Sequence, residues 1–474
     1  MPRAARAAFA YPNFRFYLSG RFLAAMSSEM QAVAVGWQVY GLTHRAIDLG
    51  LVGLAQFLPG MLLFLLAGHT ADRLPRLRIL QTCYAAFSLC SALLLFFALR
   101  DIHTVYPIYL ALLLKREGPG HEVRVIEQNP AGATYGWGVV FSERALGFLA
   151  EADPDSYRDL EARLEVWSDQ AIVHRDEAVR IDGLGFSGIA RLALLSVLQA
   201  HCRRRGVILE LDTRCEDPGA LAGADLLVGA DGAGSLVRER YREALEPEIT
   251  ALTNRYIWYG TAQPFACLTL TFRDTPHGPF VAHHYRHAAA ASTFVVECDA
   301  DTWARAGFET MSEDATRRYC EAVFAPDLGG HPLLSNRSTW QRFRMVTNRR
   351  WHHANVVLLG DALRTVHFSI GSGTRTALED AIALARALAE RSATRAAVPA
   401  ALAAFETARR PAAERLLDVA RGSGLWYESF RAMMRLDPLP FAHSYLTRGG
   451  RITAERLRTR SPRFAAAYEA YRTR

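Results

Sequence analysis

The sequence predicts an α/β fold with a parallel sheet, an antiparallel sheet inserted into it, and about three long hydrophobic helices in front. Three observations support this prediction. Short β-branched runs that end in Asp and Gly occur at residues 224–232 and 355–361, as is typical of buried parallel strands. Residues 258–296 alternate apolar and aromatic side chains, which favours antiparallel strands. Before residue 112, three nearly uncharged runs each approach the roughly 20 residues that cross a bilayer.

The second of these runs, at residues 355–361, is the one from which the rest of the chain is interpreted. Residues 355–359 predict a strand that ends at Gly360 and Asp361, where a carboxylate suits a sugar or polyol hydroxyl. An amphipathic helix predicted from Ala377 directs its positive end at an anionic or electron-rich group. The turn between strand and helix lets backbone N–H groups approach a ligand closely, and consists of Gly371, Ser372, Gly373 and Thr374. A plain strand–turn–helix connection is the alternative.

Composition excludes several classes of function. Half of the 474 residues are hydrophobic, and the net charge of +7 comes from arginine, since Lys115 is the only lysine. The arginines are scattered, which argues against a nucleic-acid surface. The seven cysteines form no CxxC pair, which argues against a disulfide framework or a zinc site and fits a reducing compartment. No metal-ligand cluster and no nucleophilic triad is evident.

The N-terminal quarter has the pattern of a membrane protein. Its three hydrophobic runs are Phe22–Thr43, Leu49–Ala71 and Ile79–Leu99. Arginines lie before the first run and between the second and third, so the positive-inside rule places the N-terminus and that loop in the cytoplasm. We therefore expect a membrane-associated protein whose remaining residues are cytoplasmic.

The loop between the second and third runs carries a motif. Gly68, Asp72, Arg73 and Arg76 resemble the GxxxDRxxR signature of major facilitator transporters, and the segments Asn13–Tyr17 and Gly36–Gln38 are similar to the start of such an exporter. For Asp72 and Arg73 alone, an ordinary capped loop is the alternative. Three spans and a fraction cannot enclose a path between two helical halves, which argues against transport by this chain.

After Leu114 the pattern changes to alternating short strands and helices. Residues 121–127 predict a strand that ends at Glu127, where a dinucleotide fold places a carboxylate on the adenosine ribose. Arg191 opens a predicted helix, Leu192–Cys202, and either reaches a flavin phosphate or ribose or lies at the surface. Asp231 and Gly232 end the first Asp-Gly strand. An isolated Asp-Gly is a weak signal, but on a strand end about 130 residues before the strand that ends at Gly360-Asp361 it forms a specific pattern.

These motifs resemble those of single-component flavin-dependent aromatic monooxygenases, and more closely the FAD domain of salicylyl-CoA 5-hydroxylases and 2-aminobenzoyl-CoA monooxygenases. The stretches that carry the resemblance are Tyr135–Ser142, Gly185–Gln199, Asn254–Gly260, Ser292–Glu297, His367–Leu384 and Ser444–Ile452.

The resemblance implies FAD and NAD(P)H as cofactors, O2 as co-substrate and an aromatic CoA thioester as substrate. It implies that Asp361 holds the ribityl chain, that the glycine turn lies against the isoalloxazine, and that Asp231 and Gly232 touch the pyrophosphate and the path of NAD(P)H. His283, His284 and Tyr285 lie in the predicted antiparallel sheet and either face the aromatic ring or are exposed sheet residues. The candidate catalytic residues are His283, Tyr285 and His367.

One expected part of this fold is missing. The fold begins with a strand and GxGxxG, whose helix N-terminus holds the pyrophosphate, but no such loop precedes Glu127. The helix that follows the glycines is predicted at residues 109–115. We interpret the chain as a chimera that joins the transporter-like and flavin parts within Tyr109–Leu114, which weakens the expectation of tight FAD binding.

The predicted domains are a transporter-like segment at 1–112, FAD-binding parts at 113–250 and 346–395, a substrate-binding sheet at 251–345, and C-terminal helices at 396–474. A long helix is predicted to end before Arg409, Arg410 and Pro411. The competing hypothesis is a membrane-anchored or truncated transporter-like protein without independent transport, and a third is a product with no activity in either part.

Overall fold

The computed structural model describes residues 106–118, 120–134, 136–142, 146–391 and 394–473. These belong to a compact unit, Ile102–Arg474. The three predicted membrane-spanning runs and the transporter-like motifs lie outside the described residues. Of residues 104–108, the place expected for the glycine loop, only 106–108 are described, and they begin the helix Tyr106–Glu117. Within the described ranges, no helix is both long enough and apolar enough to cross a membrane.

The described elements alternate in the order expected for an α/β protein with an inserted sheet. The strands are β1 Arg124–Ile126, β2 Gly138–Ser142, β3 Glu165–Trp167, β4 Gln170–His174, β5 Glu177–Ile181, β6 Phe186–Ala190, β7 Ile208–Glu210, β8 Leu227–Gly229, β9 Pro247–Thr261, β10 Leu268–Thr275, β11 Gly278–Ala288, β12 Ala291–Cys298, β13 Leu333–Leu334, β14 Gln341–Asn348, β15 His352–His353 and β16 Val356–Leu358. The helices are α1 Tyr106–Glu117, α2 Gly147–Ala152, α3 Pro154–Glu161, α4 Arg191–Arg204, α5 Leu236–Arg240, α6 Arg242–Leu245, α7 Ala300–Arg305, α8 Glu313–Val323, α9 Ala325–Leu328, α10 Gly373–Arg391, α11 Val398–Glu428, α12 Phe430–Met433, α13 Pro438–Thr447, α14 Ala454–Arg460 and α15 Pro462–Arg472.

The parallel sheet is present in two parts. Strand β1 pairs in parallel with β7, and β8 pairs in parallel with β16, which also carries the antiparallel β15. Residues of both parts, including Val125, Leu227 and Val357, belong to one hydrophobic core. No strand in the described ranges joins β1 to β8, so the first strand of the expected fold has no counterpart there.

Helix α1 packs into that same core. Tyr109 and Leu112 are fully buried, and five further residues of the helix are also buried. Lys115 and Arg116 lie in its last turn, where cations interact favourably with the helix dipole. The helix begins earlier and ends later than the predicted 109–115, and the predicted domain boundary at residue 112 falls inside it.

The antiparallel sheet predicted for residues 258–296 is confirmed. Strands β10, β11, β12 and β9 are successive antiparallel neighbours, and β4 extends the sheet in parallel beside β10. The C-terminal helices cover one face, with Val281 in a core that includes Phe441, while Phe280 on the other face packs with Phe308 and Phe324. Both faces of β11 are therefore buried, which explains its almost continuous burial.

Helix α11 corrects one prediction. It runs unbroken from Val398 to Glu428 with Pro411 inside it, whereas a helix end was predicted before Arg409. Proline removes one backbone hydrogen bond, but Ala413, Ala420 and Trp426 beyond it are buried against the rest of the chain. Tertiary packing on both sides of the proline keeps the helix continuous.

Candidate active site

The Asp231-Gly232 and Gly360-Asp361 motifs lie side by side at one edge of the sheet. Leu358, near the end of β16, is in register with Gly229 at the end of β8, so the loops that follow leave the sheet together. The buried Arg238 joins them, because its guanidinium donates 3.0 Å to the Ala362 carbonyl and also donates to the Ala233 carbonyl. In the sequence, Arg238 follows the Asp231-Gly232 motif at a spacing of seven residues from Asp231, but no separate role was predicted for it.

The Asp231 carboxylate is engaged by the chain itself. It accepts hydrogen bonds from the Ser235 hydroxyl and from the backbone N–H groups of Leu236, at 2.6 Å, and Val237, at 3.2 Å. These are unpaired donors in the first turn of helix α5, which an acidic side chain stabilises. Asp231 therefore fixes the start of α5, and Gly232 after it adopts a positive φ of 79°.

Asp361 lies half-buried beside a tyrosine ring. Burial raises the pKa of its carboxyl to about 6, although Arg191 and Arg364 act in the opposite direction. Its backbone N–H donates 2.9 Å to the Tyr106 hydroxyl. Gly360, with φ of 59°, leaves the space for this ring, since a Cβ there would lie 2.0 Å from a Tyr106 ring carbon. The ring of Tyr106 thus lies directly against the Gly360–Asp361 turn.

Arg191 is the first residue of helix α4, and its backbone N–H donates 2.9 Å to the Trp137 carbonyl. Its Nε is buried and has no hydrogen-bond partner among the described residues. Burial lowers the pKa of the guanidinium, while Tyr285, Asp361 and Tyr106 raise it. The Nε of Arg191 is therefore buried beside the loop that carries Trp137 while the side chain as a whole is half-buried, and both interpretations of Arg191 stay predictions.

Glu127 follows strand β1 in the other part of the sheet. Its carboxylate accepts 2.9 Å from the backbone N–H of Asn129 and also accepts from the Asn129 side chain. Burial raises the pKa of this carboxyl. Its backbone N–H donates to the Glu210 carbonyl, so the acid is held at the end of the β1–β7 pair, as the sequence predicts for the second strand of the fold.

The glycine turn leads directly into helix α10. The helix begins at Gly373, four residues before the predicted start at Ala377, because the Ser372 carbonyl accepts from both the backbone N–H and the hydroxyl of Thr376. Gly371 has a φ of 58°, and a Cβ there would lie 3.2 Å from the Val140 side chain. Residues 371–374 therefore form a tight turn against strand β2.

His283 and His367 converge on Phe368. The ring centroids of His283 and Phe368 are 5.6 Å apart, those of His367 and Phe368 are 4.5 Å apart, and both histidines also contact Tyr427. Burial lowers the pKa of His367 to about 4, and its Nδ1 lies 2.7 Å from the Ser369 hydroxyl. The structure thus brings together two of the three candidate catalytic residues.

The neighbours of His283 on β11 have other partners. Tyr285 donates 2.9 Å from its hydroxyl to the Gly138 carbonyl, and burial raises its pKa to about 12. His284 points to the opposite face, where its Nε2 lies 3.0 Å from the Thr271 hydroxyl and burial lowers its pKa to about 3. All three residues are buried, so the alternative of exposed sheet residues is wrong.

Glu297 and Tyr427 extend the His283 cluster. The Nε2 of His283 lies 3.7 Å from Oε2 of Glu297, and the other oxygen of Glu297 accepts 2.9 Å from the Asn254 amide. Within the described chain, His283 Nε2, Glu297 Oε2 and the Tyr427 hydroxyl are buried without hydrogen-bond partners. Such groups are costly unless a ligand or water satisfies them. The sequence offered no spacing signal for this cluster, since its members come from separate strands and a distant helix.

A small groove lies beside His367. Its lining is mostly apolar, with one guanidinium at its margin, and consists of Leu252, Phe343, Met345, Thr365, His367, Leu417, Ala420, Arg421, Gly424 and Leu425.

Comparisons with known proteins agree with this architecture. A family model described as an FAD binding domain matches residues 204–420. Salicyloyl-CoA 5-hydroxylase of a Streptomyces species is 40% identical over 351 residues, which cover 72% of this chain and 67% of that protein. The 3-hydroxy-4-methyl-anthranilyl-[aryl-carrier protein] 5-monooxygenase of Streptosporangium sibiricum is 36% identical, covering 74% and 93%. Protodeoxyviolaceinate monooxygenase of Chromobacterium violaceum is 35% identical, covering 71% and 90%.

Solved structures show the same fold. The tetrameric form of 2-methyl-3-hydroxypyridine-5-carboxylic acid oxygenase has a TM-score of 0.56 at 17% identity, over 75% of this chain and 93% of that one. The probable FAD-dependent monooxygenase pqsL of Pseudomonas aeruginosa has a TM-score of 0.56 at 21% identity, over 73% and 97%. The sequence relatives above show that this chain belongs to the FAD-dependent aromatic monooxygenases, which use FAD with NAD(P)H as the usual reductant.

Proposed function

We propose that this chain hydroxylates the aromatic ring of a hydroxybenzoyl or aminobenzoyl thioester, with coenzyme A as the carrier. The observation that carries the proposal is the set of unpartnered polar atoms of His283, Glu297 and Tyr427 beside Phe368, within the described residues. They offer a hydroxy or amino substituent a hydrogen-bonding site next to an aromatic ring. The names of two relatives, salicyloyl-CoA 5-hydroxylase and an anthranilyl carrier-protein monooxygenase, support the thioester.

The residues present fit a flavin dinucleotide. Arg191 offers a guanidinium whose Nε is buried and has no hydrogen-bond partner in the described part of the chain, and this donor suits an anionic diphosphate. Glu127 would take the adenosine ribose, and Asp361 the ribityl hydroxyls. The turn at 371–374 and the start of α10 would lie against the isoalloxazine. FAD reduced by NAD(P)H supplies the activation of O2 and the oxygen transfer.

The chain's own groups would orient the substrate and exclude water from the reaction. Phe368, with the rings of His367 and Tyr256 within 4.9 Å between centroids, provides an apolar wall for the aromatic ring. Glu297 Oε2 would accept a proton or a hydrogen bond from the ring substituent. His283 Nε2, 3.7 Å away, would take up that proton from Glu297 or return it. When Glu297 draws the hydrogen of a hydroxyl or amino substituent towards itself, that substituent donates more electron density and makes the ring more electron-rich.

The thioester arm would leave through the groove beside His367. The mostly apolar lining suits a pantetheine chain, and the guanidinium of Arg421 at its margin suits the phosphates of coenzyme A. His367, which burial keeps neutral at physiological pH because its pKa is about 4, lines this groove and also contacts Phe368. Free acids without the carrier would lack the contacts along the groove.

The test uses the full-length chain in mild detergent with FAD, NADH or NADPH, and 2-aminobenzoyl-CoA or salicyloyl-CoA. We expect substrate-dependent reductant consumption and a product heavier by one oxygen, labelled when the gas is 18O2. Benzoyl-CoA, which lacks the ring substituent, and free 2-aminobenzoate are the matched controls. Equal turnover of benzoyl-CoA, or of the free acid, would contradict the proposed roles of Glu297 and of the groove.

Membrane association through residues 1–112 stays a prediction, as do the domain boundaries. It rests on the three hydrophobic runs and the arginine-rich loop between the second and third, read with the positive-inside rule. Washing isolated membranes with carbonate separates the alternatives: an anchored protein remains in the pellet, and release of the chain into the supernatant would overturn the prediction.

A further inference from the structure

We infer that the Tyr106 side chain occupies the diphosphate segment of the FAD site and must rotate out before the cofactor binds. This inference rests on the proposed function, since it assumes that Arg191 and Asp361 hold FAD. The tyrosine thereby becomes the residue that sets flavin affinity in this chain.

The first observation is where the ring lies. The Tyr106 ring carbons Cε2 and Cζ lie 2.0 and 2.2 Å from the position that a Cβ on Gly360 would take. Ring and glycine are therefore in direct contact at the turn that ends strand β16. The Tyr106 hydroxyl accepts the backbone N–H of Asp361. A donor at this turn, which would otherwise be available to a ligand oxygen, is thus taken by a side chain.

The second observation is the set of charges that surround the hydroxyl. Asp361, Asp231 and Arg191 all act on the ionisation of Tyr106, whose pKa is raised well above its ordinary value, chiefly by burial. These three residues come from the loops that follow strands β8 and β16 and from the start of helix α4. The hydroxyl therefore lies where the three charged groups that the sequence assigns to the flavin converge.

The third observation is that Arg191 has a buried Nε without a partner, so far as the described chain extends. The phenol neutralises no charge and leaves this donor unsatisfied, whereas a diphosphate would satisfy it and pair with the cation. The ring thus fills the volume of a ligand without supplying its charge. Such an occupant is displaceable, because the incoming group makes bonds that the tyrosine does not make.

Displacement requires a side-chain rotation and leaves the helix in place. The next residues of α1, Ile108, Tyr109 and Leu112, are 2% exposed or less and packed in the core, so the backbone at residue 106 is held. FAD then has to compete with the closed rotamer, and its apparent dissociation constant equals the intrinsic one divided by the fraction of molecules in the open rotamer. Removing the ring removes this competition.

The experiment measures FAD affinity, by quenching of flavin fluorescence, in full-length wild type and four variants. Tyr106→Ala removes the ring, and Tyr106→Leu removes only the far ring atoms that contact Gly360. Tyr106→Phe keeps the ring without the hydroxyl. Tyr109→Ala is the control for loss of a buried tyrosine from the same helix. Circular dichroism and a urea midpoint for each variant show whether it folds.

We expect Tyr106→Ala and Tyr106→Leu to bind FAD at least about tenfold more tightly than wild type, Tyr106→Phe to stay within about threefold of it, and Tyr109→Ala to show no gain. Riboflavin lacks the diphosphate, so its affinity should not change at position 106. Two variants of different size keep the test decisive where one of them fails to fold.

The outcomes separate the two proposals. Wild type that binds FAD as tightly as Tyr106→Ala and Tyr106→Leu overturns the role of Tyr106 and leaves the proposed function intact. Equal gains for FAD and riboflavin also overturn it, because the diphosphate would then not be the competing group. If neither wild type nor any folded variant binds FAD, both the inference and the proposed function fail.

Discussion

Replacement of Asp380 by Asn should strongly destabilise the fold, because Asp380 is the anion of a fully buried ion pair. Its two oxygens accept 2.8 and 2.6 Å from Arg364, and one also accepts 2.8 Å from Arg409. Asp380 is fully buried, and Arg364 is 4% exposed. Arg364 follows the Asp361 turn and Asp380 lies in α10, so the pair fixes the glycine turn relative to the strand end.

The expected loss follows from what stays behind. Removing one partner of a buried pair costs about 3–5 kcal/mol, since the other charge remains buried and uncompensated. Arg409 retains Glu379 as a partner at 2.5 Å, but Arg364 has no other carboxylate in hydrogen-bond contact within the described residues. We therefore expect Asp380→Asn to lower the free energy of unfolding by about 3 kcal/mol or more.

Urea unfolding followed by circular dichroism measures this loss as a lower midpoint at an unchanged m value. Asp418→Asn is the matched control, because Asp418 pairs with Arg421 at 3.6 Å with both side chains more than half exposed, and exposed pairs contribute about 1 kcal/mol or less. The double variant Arg364→Met with Asp380→Leu should recover most of the loss. A loss below about 1 kcal/mol in Asp380→Asn would refute the reasoning, since an exposed pair would lose as much.

Three other predictions concern the site. Arg238→Met removes the two charge-assisted hydrogen bonds that join the loops after strands β8 and β16. It should lower the free energy of unfolding by about 3 kcal/mol, and an unchanged urea midpoint would contradict this. Asp361 has a raised pKa of about 6, so the folded state holds its proton more tightly and unfolding free energy should fall as pH rises from about 4 to 6. Asp361→Asn should flatten that fall, and an identical pH profile would argue against it. Glu297→Gln should lower kcat/KM about 10–100-fold at unchanged FAD affinity; equal loss of both would indicate a structural role.

The sequence predicted the parts of the fold whose signals are local. The strand ends at Glu127, Asp231 and Asp361 were readable because β-branched runs followed by an acid or by Asp-Gly have few other structures. The antiparallel sheet was readable from alternation. Helix ends were less accurate: α10 begins at Gly373, because a serine carbonyl rather than a side chain of the amphipathic face starts it.

The site was less predictable, because its members meet only through tertiary packing. Glu297, Asn254 and Tyr427 come from two strands and a helix that are far apart in the chain. Two of them lie in stretches that carry the family resemblance, but no role was predicted for any of the three. Tyr106 lies before the helix predicted at residues 109–115, and its ring position depends on the absence of a side chain at Gly360. The burial of the Arg191 Nε and of His283 likewise depends on chain segments that pack over them in the folded protein, which the sequence alone does not reveal.

Helix α1 holds together what the parallel sheet does not connect in the described residues. Glu127 belongs to the β1–β7 part and Asp361 to the β8–β16 part, and these two carboxylates would hold opposite ends of one cofactor. Leu112 and its neighbours pack in the core that contains residues of both parts, so the helix maintains their spacing. It also carries Tyr106, whose ring lies against the Gly360–Asp361 turn. In this chain, the element that aligns the two ends of the flavin site therefore also obstructs its middle, and a single side-chain rotation separates the closed site from an open one.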